Sequence, residues 1–244
     1  MNPLACTRAI QPAVNKLGSG FMLDGASFAR ASEIGLEPGL GFYIIGRFGA
    51  LGKVHHDVIS ASAAFFAPAA VAGYWDDAIA KADPTVAATL FVDCADAWGR
   101  AHLAQADGLD RLNELATQVV DSVTPAAASL FVGLRAMPRS ADPAGLCTQL
   151  SFCMRELRMA RHVVAVVAEG ISPLEAILTG SGGEGNAKLF GWQPPFPDVS
   201  ALHDRRAAAE ANTDEIHARD LGCLSDAERS ELAEGYAAVL ASIG

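Results

Sequence analysis

Arg155, Glu156, Arg158, Arg161 and His162 fall within eight residues of the stretch Cys147 to Gly170, CTQLSFCMRELRMARHVVAVVAEG. The segment starts polar, turns basic in its middle and ends apolar. Charged groups that lead into a buried helix end are costly unless something pairs with them. A guanidinium fork grips a carboxylate or phosphate through two parallel N–H donors, and histidine changes charge near neutral pH. Arg158 and His162 are four apart and share a helix face, and Arg155 lies three before Arg158 on the same side. The spacing therefore predicts an anion or carboxylate pocket lined by Arg155, Arg158 and His162. Arg47, after Gly46, is expected to contribute from another helix, and Phe65 to supply an apolar wall. In an enzyme His162 would be the acid or base. The competing reading is a salt-bridge set with Glu156, Glu169 or Asp96.

Other motifs carry less chemistry. Gly180, Gly182 and Gly185 satisfy G-x-G-x-x-G, but the residues before them read as helix, where a dinucleotide fingerprint needs a strand. Asn186 stands where a phosphate loop needs lysine, so the stretch reads as a helix–helix connection. His55, His56 and Asp57 are consecutive. Neighbours on a helix diverge by about 100°, which argues against a shared metal ion. Neither H-E-x-x-H nor H-x-x-E-H occurs, and the cysteines give no tetrahedral set. No metal and no cofactor is expected. No G-x-S-x-G elbow or Ser-His-Asp order occurs. Phe42, Tyr43, Phe48, Phe65, Phe66, Tyr74 and Trp75 read as core by default, and Trp98 with His102 as a stacked pair.

Almost every positioning segment reads as helix, because alanine is abundant and β-branched alternation and hairpin dipeptides are scarce. Helices are expected over 4–17, 28–34, 41–48, from Val54 through Phe65, and from Pro68 onward. Pro84 opens a long helix running toward Gln105, and 109–120 follows. Thr124-Pro125 predicts a cap and first turn for 125–136. After the punctuation of Met137 to Pro143 come the long basic helix, a helix over 173–179 capped by Ser172, and the proline-rich connector Trp192 to Pro197. The last two helices span about 199–218 and 226–242, the second introduced by Ser225-Asp226 with Glu228 in its first turn. The fold class is all-α. Two units are expected, 1–137 and 143–244, separate or merged into one fold.

The 244 residues are 51% hydrophobic and 19% charged, enough for a sizeable core. A net charge of −10 argues against non-specific attraction to nucleic acid or anionic lipid. Five cysteines without C-x-x-C, and a start lacking a basic segment before an apolar one, predict reduced thiols in a cytoplasmic protein. No apolar run is long enough to span a bilayer.

GFYIIGRFGALGKVHHDVISASAAFFAPAAV (41–71) and MRELRMARHVVAVVAEGISPLEAIL (154–178) resemble two segments of an actinobacterial family of uncharacterised helix-turn-helix proteins. TDEIH (213–217) and CLSDAERSEL (223–232) look like its closing helices, which are similar to the dimerisation helices of MarR-like winged-helix proteins. The resemblance runs from about residue 40 to the end. It implies a degenerate tandem helix-turn-helix architecture and a homodimer. Two departures matter. Leu157 stands where the family has a second histidine, and the wing hairpin expected after Gly191-Trp192 is missing. From Val54 to Ala80 there is no Lys or Arg, whereas base edges and phosphates demand cationic donors. DNA is therefore the less favoured partner. The sequence points to a helical regulatory protein that binds a small molecule. An enzyme acting on an anionic or aromatic substrate, and a MarR-like transcriptional regulator, are the alternatives.

Overall fold

The computed structural model describes residues 1–243. Thirteen α-helices occur among those residues: α1 (Pro3–Ser19), α2 (Gly25–Ala29), α3 (Leu40–Phe48), α4 (His56–Ala63), α5 (Pro68–Ile79), α6 (Pro84–His102), α7 (Leu109–Ser122), α8 (Ser129–Arg135), α9 (Pro143–Ala168), α10 (Pro173–Leu178), α11 (Gly183–Leu189), α12 (His203–Asp220) and α13 (Asp226–Ser242), with short 3-10 turns at Arg30–Ile34, Gly49–Leu51 and Ser200–Leu202. No strand occurs among the described residues, so the fold is all-α.

Helix starts follow local chemistry. Asp83 and Asp142 each accept two backbone amides ahead of a proline at the first helical position, opening α6 and α9. Ser172 and Ser225 form capping boxes with Glu175 and Glu228.

The central element is α9. It packs against α1, α6, α7, α8 and α12, which explains why it buries residues on all sides from Ala144 to Val166. Its neighbours approach closely where they carry glycine. A Cβ on Gly18 of α1 would lie 2.6 Å from the Ser151 carbonyl oxygen, and one on Gly99 of α6 would lie 2.4 Å from that of Ala144. The apolar cluster built on these contacts runs from Cys6 in α1 to Val239 in α13.

Two helix pairs have the helix-turn-helix pattern, α4 with α5 and α10 with α11. The second docks on the turn of the first. The Trp192 indole donates to the Phe65 carbonyl at 2.8 Å, and the Ala67 amide donates to the Phe190 carbonyl at 2.8 Å. Inside the first pair, Trp75 is fully buried and its indole donates to the Val54 carbonyl.

Three sequence expectations need correction. The helix predicted from Pro125 begins at Ser129. Arg161 draws the carbonyls of Thr124 (3.2 Å) and Ala126 (2.6 Å), and Ala127 adopts φ +56°, an uncommon left-handed conformation for alanine. These contacts hold 124–127 in a turn, so Thr124 caps nothing. The glycine-rich stretch expected as a connection contributes Gly183, Glu184 and Gly185 to α11. The helix from Pro84 stops at His102. No helix among the described residues is long and apolar enough to cross a membrane.

Candidate functional site

The middle of α9 presents two charged constellations. On one side the Glu156 carboxylate, 2% exposed, accepts Arg47 Nε at 3.2 Å, Arg47 Nη2 at 2.7 Å and Arg155 Nη1 at 2.7 Å. Arg47 comes from α3, donates its remaining Nη1 to the Tyr43 hydroxyl at 2.6 Å, and stacks over Phe48. Burial works to raise the Glu156 carboxyl, but the charges of Arg47 and Arg155 outweigh it and hold the group below the usual range. Both oxygens are engaged, so Glu156 serves as an internal counter-ion rather than a ligand acceptor. It borders an apolar groove of about 240 Å³ between α4, the 127–130 segment and α9.

On the other side, α9 faces α12. Arg158 donates to Asp214 at 3.0 Å and approaches Glu210 at 3.4 Å. Glu210 is also held by Arg206, and Asp214 by Arg8 of α1. Arg161 forms a bidentate pair with Asp220, 2.9 Å on each arm. Of the counter-ions expected from the sequence, Glu156 serves. Glu169 accepts from Asn212, and Asp96 pairs with Arg100.

His162 is 6% exposed. Its Nδ1 lies 2.9 Å from Thr213 Oγ1, which spends its one proton on the Ala209 carbonyl at 2.6 Å. Thr213 must therefore accept, so Nδ1 carries the hydrogen and Nε2 keeps a bare lone pair. Phe65 packs against the ring, with centroids 5.7 Å apart. Burial pushes the His162 pKa down to about 4; Glu210 opposes this, while Arg206 and Arg158 reinforce it. The ring is neutral at neutral pH.

Arg155, Arg158 and His162 come together on a crevice of about 50 Å³, completed by Gln11, Val14 and Asn15 of α1. Arg47 and Phe65 do not line it; they stand behind Glu156 and against the His162 ring. The Nε–H groups of Arg155 and Arg158 are buried with no hydrogen-bond partner among the described residues. Around them, Arg8, Arg47, Arg155, Arg158 and Arg206 share only three carboxylates, Glu156, Glu210 and Asp214. This is a local cationic surplus in a chain of net charge −10. The crevice is thus walled by two guanidinium groups and one neutral imidazole. That combination suits the head of a small anion, a phosphate or a carboxylate.

Sequence reasoning missed Glu210, Thr213 and Asp214. A signal existed: together with His217 they repeat at helical spacing on one face of α12, as Arg155, Arg158 and His162 do on α9.

The buried histidine makes a prediction. Its folded pKa lies below its ordinary value near 6.5, so as pH falls the unfolded chain takes the proton first. Stability is complete above about pH 6.5 and is lost down toward pH 4, by as much as ~3 kcal/mol. Urea denaturation between pH 7 and pH 4.5 should show this slope, and His162→Gln should flatten it. An unchanged slope in the variant would assign the effect elsewhere.

The exposed faces of the helix pairs have the opposite character. On α5 they carry Ala69, Gly73, Tyr74, Asp76 and Asp77, and on α11 Glu184, Asn186 and Lys188, the lysine paired with Glu184. Buried thiols are inert: burial raises Cys147 and Cys153 to about 12.

The model of a helix-turn-helix family matches residues 7–205. No curated protein and no solved structure matches the chain.

Proposed function

The chain belongs to this helix-turn-helix family, and from that premise we propose that it is a regulatory protein that senses a small anion at the α1–α9–α12 crevice and is a poor DNA reader. The observation that carries the reading is the pair of buried, unpartnered guanidinium Nε–H groups of Arg155 and Arg158 beside the His162 ring. A buried donor left unmatched costs about 1–3 kcal/mol, and more when it is charged. An anionic oxygen in the crevice removes that cost at both arginines. The crevice takes a carboxylate or phosphate head rather than a whole drug-sized molecule, whose sites are several hundred Å³. Any larger remainder of the ligand would extend out over Gln11 and Asn15 of α1.

DNA recognition is the second reading, favoured by family membership alone. Sequence-independent phosphate contacts supply most of a DNA-binding protein's affinity, and they come from lysine and arginine. The α5 face offers two aspartates instead. Fluorescence anisotropy with a labelled random duplex at 0.1 M salt should show no binding at low micromolar protein. Native mass spectrometry of the same preparation should show a retained small anion. Tight, salt-sensitive duplex binding without any bound anion would replace this reading with the second. The homodimer suggested by the closing helices belongs to the same proposal, and the mass spectrum reports it directly.

A further inference from the structure

The three consecutive residues that open α4 do not behave as neighbours on a helix. His55 is the N-cap, with an extended backbone (φ −65°, ψ 146°), and the His55 and His56 ring centroids lie only 4.0 Å apart. The 100° divergence expected for adjacent helical residues therefore does not apply. One donor atom from each of His55, His56 and Asp57 falls within 4.8 Å of the others. We propose that His55, His56 and Asp57 bind a divalent transition-metal ion of the zinc class, with Asp76 of α5 as the carboxylate that orients His56.

Hydrogen bonding fixes the protonation pattern. His56 Nδ1 lies 2.9 Å from Asp76 Oδ2. An ionised carboxylate only accepts, so Nδ1 carries the hydrogen and Nε2 is bare. That is the carboxylate–histidine–metal arrangement in which an outer carboxylate fixes tautomer and ring orientation. His55 Nδ1 accepts the Asp57 amide at 3.3 Å as the helix cap, so it carries no hydrogen of its own but its lone pair is engaged. Asp57 Oδ2 lies 3.3 Å from His55 Nδ1, and Asp57 Oδ1 lies 3.8 Å from His56 Nε2. Two imidazoles and one carboxylate thus converge, and His55 Nδ1 would leave its cap hydrogen bond to bind the ion. Ligand atoms around a tetrahedral ion with bonds near 2.05 Å stand about 3.3 Å apart, so side-chain movements of up to about 1.5 Å close the set.

Two imidazoles and one carboxylate select zinc, nickel or cobalt over calcium or magnesium. Three protein ligands leave the fourth position open to water. The set lies on the surface, with His55 64% and Asp57 80% exposed, which fits an exchangeable ion rather than a structural one. Through His56 and Asp76 the ion would tie the first helix of the pair to the second, and offset acidic charge on their exposed face.

The test is isothermal titration of the full chain with zinc chloride. One equivalent per chain with micromolar affinity is expected. His56→Ala should weaken binding at least 10-fold, and Asp76→Asn by about 10-fold with unchanged stoichiometry. Both positions are partly or fully exposed, so far-UV circular dichroism should show the variants folded. Absence of zinc binding at 100 µM protein, or binding unaltered in His56→Ala, would overturn the proposal; the second result would place the ion elsewhere, for example at Cys223.

Discussion

Replacing Glu156 by leucine will cost the fold about 3–5 kcal/mol. The side chain is a buried counter-ion to two guanidinium groups, and Arg47, 5% exposed, has no route to water. Without the carboxylate, Arg47 keeps only the Tyr43 hydroxyl and the Phe48 ring. An uncompensated buried charge is the expensive outcome, whereas replacing both partners by apolar groups of similar volume is often close to neutral. The double variant Arg47→Met, Glu156→Leu should therefore recover most of the loss, since Arg155 is partly exposed and can turn toward the crevice. Urea denaturation of the two variants and the parent gives the comparison. A loss under about 1 kcal/mol for the single variant would contradict the role assigned to Glu156.

The second large effect concerns the ligand. Arg158→Gln should lower affinity for a small anion at least 10-fold while leaving the protein folded. Arg158 is suited to this test because its partners are not orphaned by its removal: Glu210 retains Arg206, and Asp214 retains Arg8. A charge-assisted hydrogen bond from a buried guanidinium is worth roughly 1.5–3 kcal/mol, which converts to between one and two decades of affinity. Glutamine keeps a neutral donor but not the charge. A variant that binds as tightly as the parent would remove Arg158 from the site.

The helices were legible because their starts are chemical. Pro84 at a first helical position, and Ser172 and Ser225 ahead of a proline or a capping glutamate, announce themselves in a single chain. The failures came where a distant side chain decided a local conformation. Thr124-Pro125 has the residues of a helix start, but Arg161, thirty-odd positions later, holds its carbonyls in a turn. The site divided in the same way. Arg155, Arg158 and His162 share a face by spacing alone, and the structure gathers them. Arg47 was grouped with them by its charge, yet its fork is spent on Glu156, a pairing 109 residues apart that no local pattern contains. The divergence expected of His55 and His56 fails for a backbone reason, since His55 is the cap rather than a helical neighbour and the ring centroids lie 4.0 Å apart.

The central claim is that the crevice between α1, α9 and α12 binds a small anion. The most direct measurement is isothermal titration of the purified chain with inorganic phosphate, and separately with citrate, at low ionic strength. One site per chain that is weakened at least 10-fold in Arg158→Gln and is insensitive to His56→Ala is the predicted result. No heat from either anion up to 10 mM, or binding equal in parent and Arg158→Gln, would contradict it.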